Sequence, residues 1–152
     1  SAFATLTITV KTDCDQINNS TFDLGVAKEY NLFVIQDLTQ PSSDTEGRIA
    51  VGRDATLANY SVGDKLAPNS GDVLIVGRNL TYTSGRVYNG DVAYGNATNL
   101  PIYPTSIDGS LRKDTPINFA AAKTYLENLS LTLSGYAVTG TTAFQFSGLT
   151  LT

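Results

Sequence analysis

From residue 4 to residue 10 the chain alternates, with Leu6, Ile8 and Val10 standing between Thr5, Thr7 and Thr9. A period of two puts one apolar and one hydroxyl-bearing face on an extended segment, and predicts a half-buried strand. A polar turn region follows to Ser20. Leu24 to Tyr30 reads as a short helical turn, and Asn31 to Asp37 (Asn-Leu-Phe-Val-Ile-Gln-Asp) as a buried strand. The Pro- and Ser-rich segment from Thr39 to Thr45 reads as a loop.

The next stretch repeats itself. Residues 47–57 (Gly-Arg-Ile-Ala-Val-Gly-Arg-Asp-Ala-Thr-Leu) are echoed by residues 72–82 (Asp-Val-Leu-Ile-Val-Gly-Arg-Asn-Leu-Thr-Tyr), and more weakly by residues 91–100. The shared unit is an apolar strand, a glycine, a polar pair and a second short strand. Spacings of about 20 residues suit the coils of a β-solenoid, in which each coil covers the open apolar face of the next. The glycines are expected to supply backbone freedom at the corners. Two sandwich hairpins with coincidental glycines are the alternative.

Residues 115–134 predict a helix. Thr115 is placed to cap it, Pro116 fits the first turn, and Gly135 can end it. Phe119, Ala122, Leu126, Leu129 and Leu133 step by three and four and form one apolar stripe, while Lys123, Glu127 and Asn128 fall on the other side. One apolar stripe needs one surface to lie on, here the flank of the sheet. From Thr142 to Thr152 the pattern returns to strand. The fold class expected is mainly β: a β-solenoid-like (β-helix) body with one α-helix, at about residues 115–134, packed alongside.

With 152 residues the chain is long enough for a single domain, residues 1–152, with residues 1–13 as an N-terminal strand or arm. Charged residues are 16% of the chain, against about 25% in ordinary soluble domains, so polarity comes from Ser, Thr, Asn and Gly. The net charge of −4 offers no basic field for phosphates, which argues against a nucleic-acid partner. No apolar run is long enough to span a bilayer. The start at Ser1 reads as a mature or trimmed product.

Six asparagines satisfy the N-glycosylation pattern Asn-x-Ser/Thr: Asn18, Asn19, Asn59, Asn79, Asn96 and Asn128. A chain with 11 Asn and 32 Ser and Thr reaches about two by chance. The excess predicts N-linked glycans and passage through a eukaryotic secretory route, hence a secreted or cell-surface location. The lone cysteine, Cys14, forms no internal disulfide; it is either a small buried apolar residue or a thiol for an intermolecular bond. Asp13 and Asp15 beside it oppose a catalytic thiolate.

Chemistry-bearing constellations are missing. No His occurs, which removes Ser-His-Asp and Cys-His arrangements and most zinc sites. Gly85, Gly90 and Gly95 lack the Lys-Ser/Thr of a phosphate loop. The 14 acidic residues are scattered, with no pair to nominate for glycoside hydrolysis. Asp13, Asp15, Asp44, Glu46, Asp72 and Asp91 lie in or beside turns, without the regular spacing of a calcium loop. The expectation is no enzyme, no metal and no cofactor. Thr5, Thr7 and Thr9, and Thr81 and Thr83, place hydroxyls at strand spacing, but an ice-binding face needs such pairs stacked in neighbouring coils. Tyr60, Tyr82, Tyr88, Tyr94 and Tyr103 either cap the solenoid core or form a contact surface for glycans.

Several motifs, in order, resemble the choice-of-anchor A family: residues 24–34 (Leu-Gly-Val-Ala-Lys-Glu-Tyr-Asn-Leu-Phe-Val), Glu46-Gly-Arg-Ile-Ala-Val-Gly52, Asn59-Tyr-Ser-Val-Gly63, Val76-Gly-Arg-Asn-Leu80, residues 117–126 (Ile-Asn-Phe-Ala-Ala-Ala-Lys-Thr-Tyr-Leu) and Gly148-Leu-Thr-Leu151. The resemblance covers roughly residues 22–152. It implies an extracellular module of anchored surface proteins, adhesive or structural, with no catalytic residues assigned. Arg53 and Arg78 stand where that family often has a second Gly, and the chain stops after Leu151 where members continue, so the domain is expected to be C-terminally incomplete or completed by a neighbour.

The function expected is a non-catalytic extracellular structural or adhesive glycoprotein domain. Its partners are itself, as a filament or matrix built by terminal strand addition, or surface glycans. Leu6, Ile8, Val10 and Cys14 would supply the intermolecular contact. A carbohydrate-binding module and an ice-binding protein are the alternatives.

Overall fold

The inward positions decide the architecture. In the computed structural model, which describes residues 23–101 and 105–137 together with the backbone of residues 142–145 and 148–151, Leu32, Ile49, Leu74, Val92 and Leu111 stack in register. They belong to β1 (Leu32–Val34), β4 (Ile49–Val51), β7 (Asp72–Val76), β10 (Asp91–Tyr94) and β11 (Leu111–Lys113), which form one parallel sheet in that order. A second parallel sheet holds β2 (Leu38–Gln40), β5 (Ala55–Leu57) and β8 (Leu80–Tyr82). A third holds β3 (Ser43–Thr45), β6 (Tyr60–Val62) and β9 (Gly85–Val87). Each coil thus contributes one short strand to each of three sides. Isolated bridges Leu80–Thr98 and Val87–Ile107 carry the second and third sides into a fourth coil.

The body is therefore a three-sided β-solenoid. The core lies inside the coils, where Ile49, Val51, Leu57, Val62, Leu74, Val76, Leu80, Val87 and Val92 are buried. Each such side chain contributes about 1.5–3 kcal/mol by leaving water, which is how strands of three residues persist. β-Branched and Leu side chains stack on their own kind from coil to coil, as a pleated half-buried surface favours.

Successive coils are 17, 25, 18 and 19 residues apart along the first inward column. The long step comes from a loop between β6 and β7, entered at Gly63 (φ +79°) and left through Asn69 (φ +62°) and Gly71 (φ +70°). Arg48 donates to the Ser70 carbonyl at 2.8 Å and Asn89 Nδ2 to the Gly63 carbonyl at 3.0 Å, fastening the loop to its neighbouring coils.

The outer face of the first sheet is also covered. Phe33, Ala50, Ile75, Ala93 and Arg112 form its outward column. Ala50, Ile75, Ala93 and Ile117 share a second buried cluster, with Phe33 and Phe119 packed against it. The segment before α1 (Phe119–Ser134) therefore runs back along this sheet, and the helix begins over its first coils, where the Phe33 and Phe119 rings lie 5.5 Å apart. The small Ala50 and Ala93 admit this close cover. Beyond its first turns the helix leaves the sheet and meets the 3-10 turn Gly25–Glu29, with Tyr125 Oη donating to the Asp23 carbonyl at 2.7 Å. β12 (Thr142–Gln145) and β13 (Gly148–Leu151) pair antiparallel.

The solenoid, the presence of one helix and the helical turn before Tyr30 agree with the sequence reading; the strand after Asn31 is shorter, Leu32–Val34, and half-buried, and of the helix stripe Ala122 is buried while Leu133 is exposed. Three further details differ. The segment Thr39–Thr45 is not a loop: it contains β2 and β3, whose polar residues face outward and whose backbones pair with β5 and β6. The helix starts at Phe119, and its cap is Asn118, whose Oδ1 accepts from Ala121 N at 3.0 Å; Thr115 and Pro116 precede it. The corner glycines Gly52, Gly77 and Gly95 serve close stacking rather than unusual φ. A Cβ on Gly77 would meet the Gly52 carbonyl oxygen at 2.3 Å, and one on Gly95 would meet that of Gly77 at 2.1 Å.

Candidate functional site

The second sheet presents the most regular exposed surface. Thr39, Thr56 and Thr81 are central residues of β2, β5 and β8, are exposed, and stand in register as Thr39–Thr56–Thr81. Parallel strands hold such positions about 4.8 Å apart, so the three side chains form a column at the coil repeat. Asn99 continues it in the fourth coil. Its Oδ1 accepts from Tyr82 N at 2.8 Å and its Nδ2 donates to the Tyr82 carbonyl at 3.1 Å, so the side chain occupies the open edge of β8.

A polar ladder borders this face at the corner leading from the first sheet. Asp37 Oδ1 accepts from Asp54 N at 3.0 Å, and Asp54 Oδ1 accepts from Asn79 N at 3.1 Å and from Asn79 Nδ2 at 2.9 Å. Asn96 Nδ2 then donates to Asn79 Oδ1 at 2.8 Å. Arg53 and Arg78 stand beside it, Arg53 Nε at 3.3 Å from Asp37 and Arg78 Nη2 at 3.5 Å from Asp54. These exposed pairs neutralise the corner and leave the Thr column without net charge nearby.

The third sheet faces outward with Asp44, Ser61 and Arg86 in register. Arg86 pairs with Asp108 and lies 5.5 Å over the Tyr88 ring. The hydrogen bond from Asn89 N and the Arg86 guanidinium hold the Asp108 carboxyl below its usual range. This face is mixed and charged rather than repetitive.

A cleft of about 320 Å³ lies between the 3-10 turn and α1, lined by Leu24, Val26, Ile117, Ala121, Ala122 and Tyr125 among others. Tyr125 is the one titratable side chain in its lining, so the cleft brings no acid–base pair together.

The sequence candidates fall as follows. Asn59, Asn96 and Asn128 are exposed and Asn79 is half-buried; Asn79 and Asn96 both sit in the corner ladder. Asn18, Asn19, Cys14, Leu6, Ile8 and Val10 lie outside the described residues, as do the hydroxyls of Thr5, Thr7 and Thr9. Asp72 is engaged by Arg112, and Asp91 accepts from Ser110 N at 2.7 Å, so these two turn carboxylates have partners within the fold. Tyr60 and Tyr82 are buried in the core, where Tyr82 Oη donates to the Tyr60 carbonyl, and neither presents a ring to a glycan. Burial pushes the Tyr82 phenol upward, with the neighbouring Tyr88 adding to the shift.

Sequence reasoning missed the Thr column because it looked for pairs within one strand. Thr81 is in the column; Thr83 lies past the end of β8. The signal is single threonines at the coil spacing, and it is hidden because the polar segment around Thr39 reads as a loop.

No helix among the described residues is long and apolar enough to cross a membrane. Searches of the curated proteins and of the solved structures return no match. The choice-of-anchor A resemblance is not what the family models pick out; the match obtained is to an adhesive family with a different description. The model described as "Putative Ice-binding-like adhesive domain" matches residues 23–152, which takes in the described coils and α1, and the chain belongs to that family of adhesive domains.

Proposed function

We propose that this is a non-catalytic adhesive domain of an extracellular or cell-surface protein, and that the sheet β2-β5-β8 is its contact face. The observation that carries the reading is the in-register column Thr39–Thr56–Thr81 on an exposed sheet. A rigid scaffold with a repeated hydroxyl–methyl side chain pays little conformational entropy on contact, because β-branched Thr is already restricted at χ1. Such a face suits an extended, periodic target better than a small ligand. The sequence holds no His, and the cleft beside α1 has Tyr125 as the one titratable side chain in its lining.

Ice is a second, narrower reading of the target, favoured by the same column, since hydroxyls and methyls repeating at the coil spacing match an ordered array. Self-assembly through strand addition is the competing use of the fold. It rests on β1, β2 and β3, each of which pairs on one side only among the described strands.

One set of preparations tests these readings. Thr56→Lys puts a charge in the middle of the column, and Asp44→Lys does the same on the third sheet. Bead-coupled protein is assayed for retention on ice and on insoluble polysaccharide, and each preparation is run on size exclusion. Thr56→Lys should weaken retention about tenfold, roughly the cost of 1.4 kcal/mol at a flat contact, and Asp44→Lys should leave it unchanged. Equal retention by Thr56→Lys and the parent would remove the face from consideration. Concentration-dependent oligomers unaffected by Thr56→Lys would favour strand addition instead.

A further inference from the structure

Four of the six glycosylation sequons fall in the described residues, and the fold treats their side chains differently. Asn79 is half-buried, with Nδ2 and backbone N both donating to Asp54 and Oδ1 accepting from Asn96. Asn96 is exposed like Asn59 and Asn128, and differs from them in that its Nδ2 donates into the same ladder. In both residues the nitrogen that would carry a sugar already joins one coil to the next. Asn59 is exposed at a turn (φ +47°); its Oδ1 accepts from Ser84 Oγ at 2.7 Å, and its Nδ2 makes no hydrogen bond among the described residues. Asn128 is exposed on α1, and its side chain makes no hydrogen bond among the described residues; its backbone carbonyl accepts from Thr132 Oγ1.

We propose that Asn59 and Asn128 are the N-glycan attachment points of the coiled body, and that Asn79 and Asn96 remain unmodified in the folded protein. The donor class is a lipid pyrophosphate-linked oligosaccharide. Asn Nδ2 forms a bond to the anomeric carbon of the first sugar and gives up one proton, while the bond from that carbon to the pyrophosphate oxygen breaks and the lipid pyrophosphate leaves. At Asn59 and Asn128 this step costs no Nδ2 hydrogen bond among the described residues. At Asn79 a sugar replaces one of the two Nδ2 hydrogens and must be accommodated between Asp54 and Asn96, in a half-buried corner where the coils are in hydrogen-bond contact, which opposes modification in the folded chain.

The surroundings of Asn128 add a second reason for a glycan. Tyr125 and Leu131 lie three residues to either side, on the same stretch of helix surface, and are 43% and 72% exposed. Past Glu127 the helix carries no charge through Ser134. A hydrophilic chain on Asn128 covers an apolar surface that nothing else among the described residues covers. The assignment does not depend on which face makes the adhesive contact, although a glycan at Asn79 would stand two residues from Thr81 and obstruct the column.

The test is site-by-site occupancy. The chain is secreted from a eukaryotic host and separated into monomeric folded and aggregated fractions. Each is treated with peptide N-glycosidase in heavy-oxygen water, so that every formerly glycosylated Asn appears as labelled Asp. Expected in the folded fraction are Asn59 and Asn128 mostly labelled, and Asn79 and Asn96 unlabelled. Asn79 labelled in the folded fraction to the same extent as Asn128, or Asn128 empty, overturns the assignment. Asn128→Gln, which keeps polarity and loses the sugar, should raise binding of a hydrophobic dye several-fold at unchanged far-ultraviolet dichroism; unchanged dye binding overturns the covering role.

Discussion

Tyr82 shows how a single side chain serves the core of a narrow solenoid. Its ring is in the buried cluster, and its hydroxyl finds the carbonyl of Tyr60, a backbone group belonging to the neighbouring coil. An aromatic with a polar tip suits this place because the tip reaches the backbone at the corner while the ring fills the interior. The buried phenol resists ionisation, and its pKa lies above the ordinary 10.0. The sign follows from linkage. Below pH 10 both folded and unfolded phenols are protonated and the contribution is fully present. Above pH 10 the unfolded phenol loses its proton and the folded one does not, so stability falls as pH rises through that window. Denaturant titrations at pH 8, 10 and 11 should show a declining midpoint, and Tyr82→Phe should flatten the decline while costing about 1 kcal/mol at pH 8 through the lost hydrogen bond to the Tyr60 carbonyl. An equally steep decline in Tyr82→Phe would assign the effect to other groups. The sequence marked Tyr82 as either core or contact residue, and could not choose, because its alternation with Leu80 and Thr81 fits either face of a strand until the register is known.

Elements were legible where apolar residues recur and illegible where they do not. The strands β4, β7 and β10 carry Val, Ile and Leu on the inward side and small or apolar residues on the outward side, because the helix region covers their outer face. β2 and β3 carry Leu38 as their one fully apolar inward residue, the remaining positions being Thr, Gln, Ser and Asp, so pattern reading saw a loop. What makes them strands is the pairing offered by β5 and β6. The helix boundary was misjudged for a related reason. Thr115 followed by Pro116 has the look of a capped start, but residues 114–118 are used to cross the sheet, with Ile117 buried on Ala50 and Ile75, and an extended crossing comes before any helical turn. Asn118 then caps the helix through Ala121 N. Asn118→Ala should cost about 1 kcal/mol, read by thermal unfolding, and Asn118→Ser should recover most of it. Because Ala122 is the one fully buried residue of α1, hydrogen exchange over residues 119–126 should speed up in Asn118→Ala with little change in β4 or β7. Unchanged exchange in the first turns of α1 would show that packing, not the cap, holds the start.

For the whole molecule, stability is expected to follow position along the coil axis. In a solenoid each coil contacts only its neighbours, so total stability is close to a sum of coil and interface contributions. Inner coils have two neighbours and outer ones have fewer. β4, β7 and β10 each pair on both sides, whereas β1, β2 and β3 pair on one side among the described strands. At the far end the backbone of β8 is occupied by the Asn99 side chain, which mimics a strand and leaves that edge less available to another chain. On the second sheet this leaves β2, in the first coil, as the more open edge, while β11 ends the first sheet with one strand partner as β1 does. Position along the axis also sets up a comparison of two leucines that both point inward. Leu74 is fully buried between Ile49 and Val92 in the middle of the stack, and Leu38 sits at the first coil with Ala55 as its stacked neighbour. Leu74→Ala should cost about 3–5 kcal/mol, the range for a cavity with no means of collapse, and Leu38→Ala about 2 kcal/mol, because the outer coil can close on the space. Equilibrium denaturation gives both values, and native-state hydrogen exchange should find the slowest amides in β4, β7 and β10. Equal losses from the two substitutions, with uniform exchange along the axis, would mean that the coils unfold as one unit and that the first coil is as firmly held as the middle of the stack.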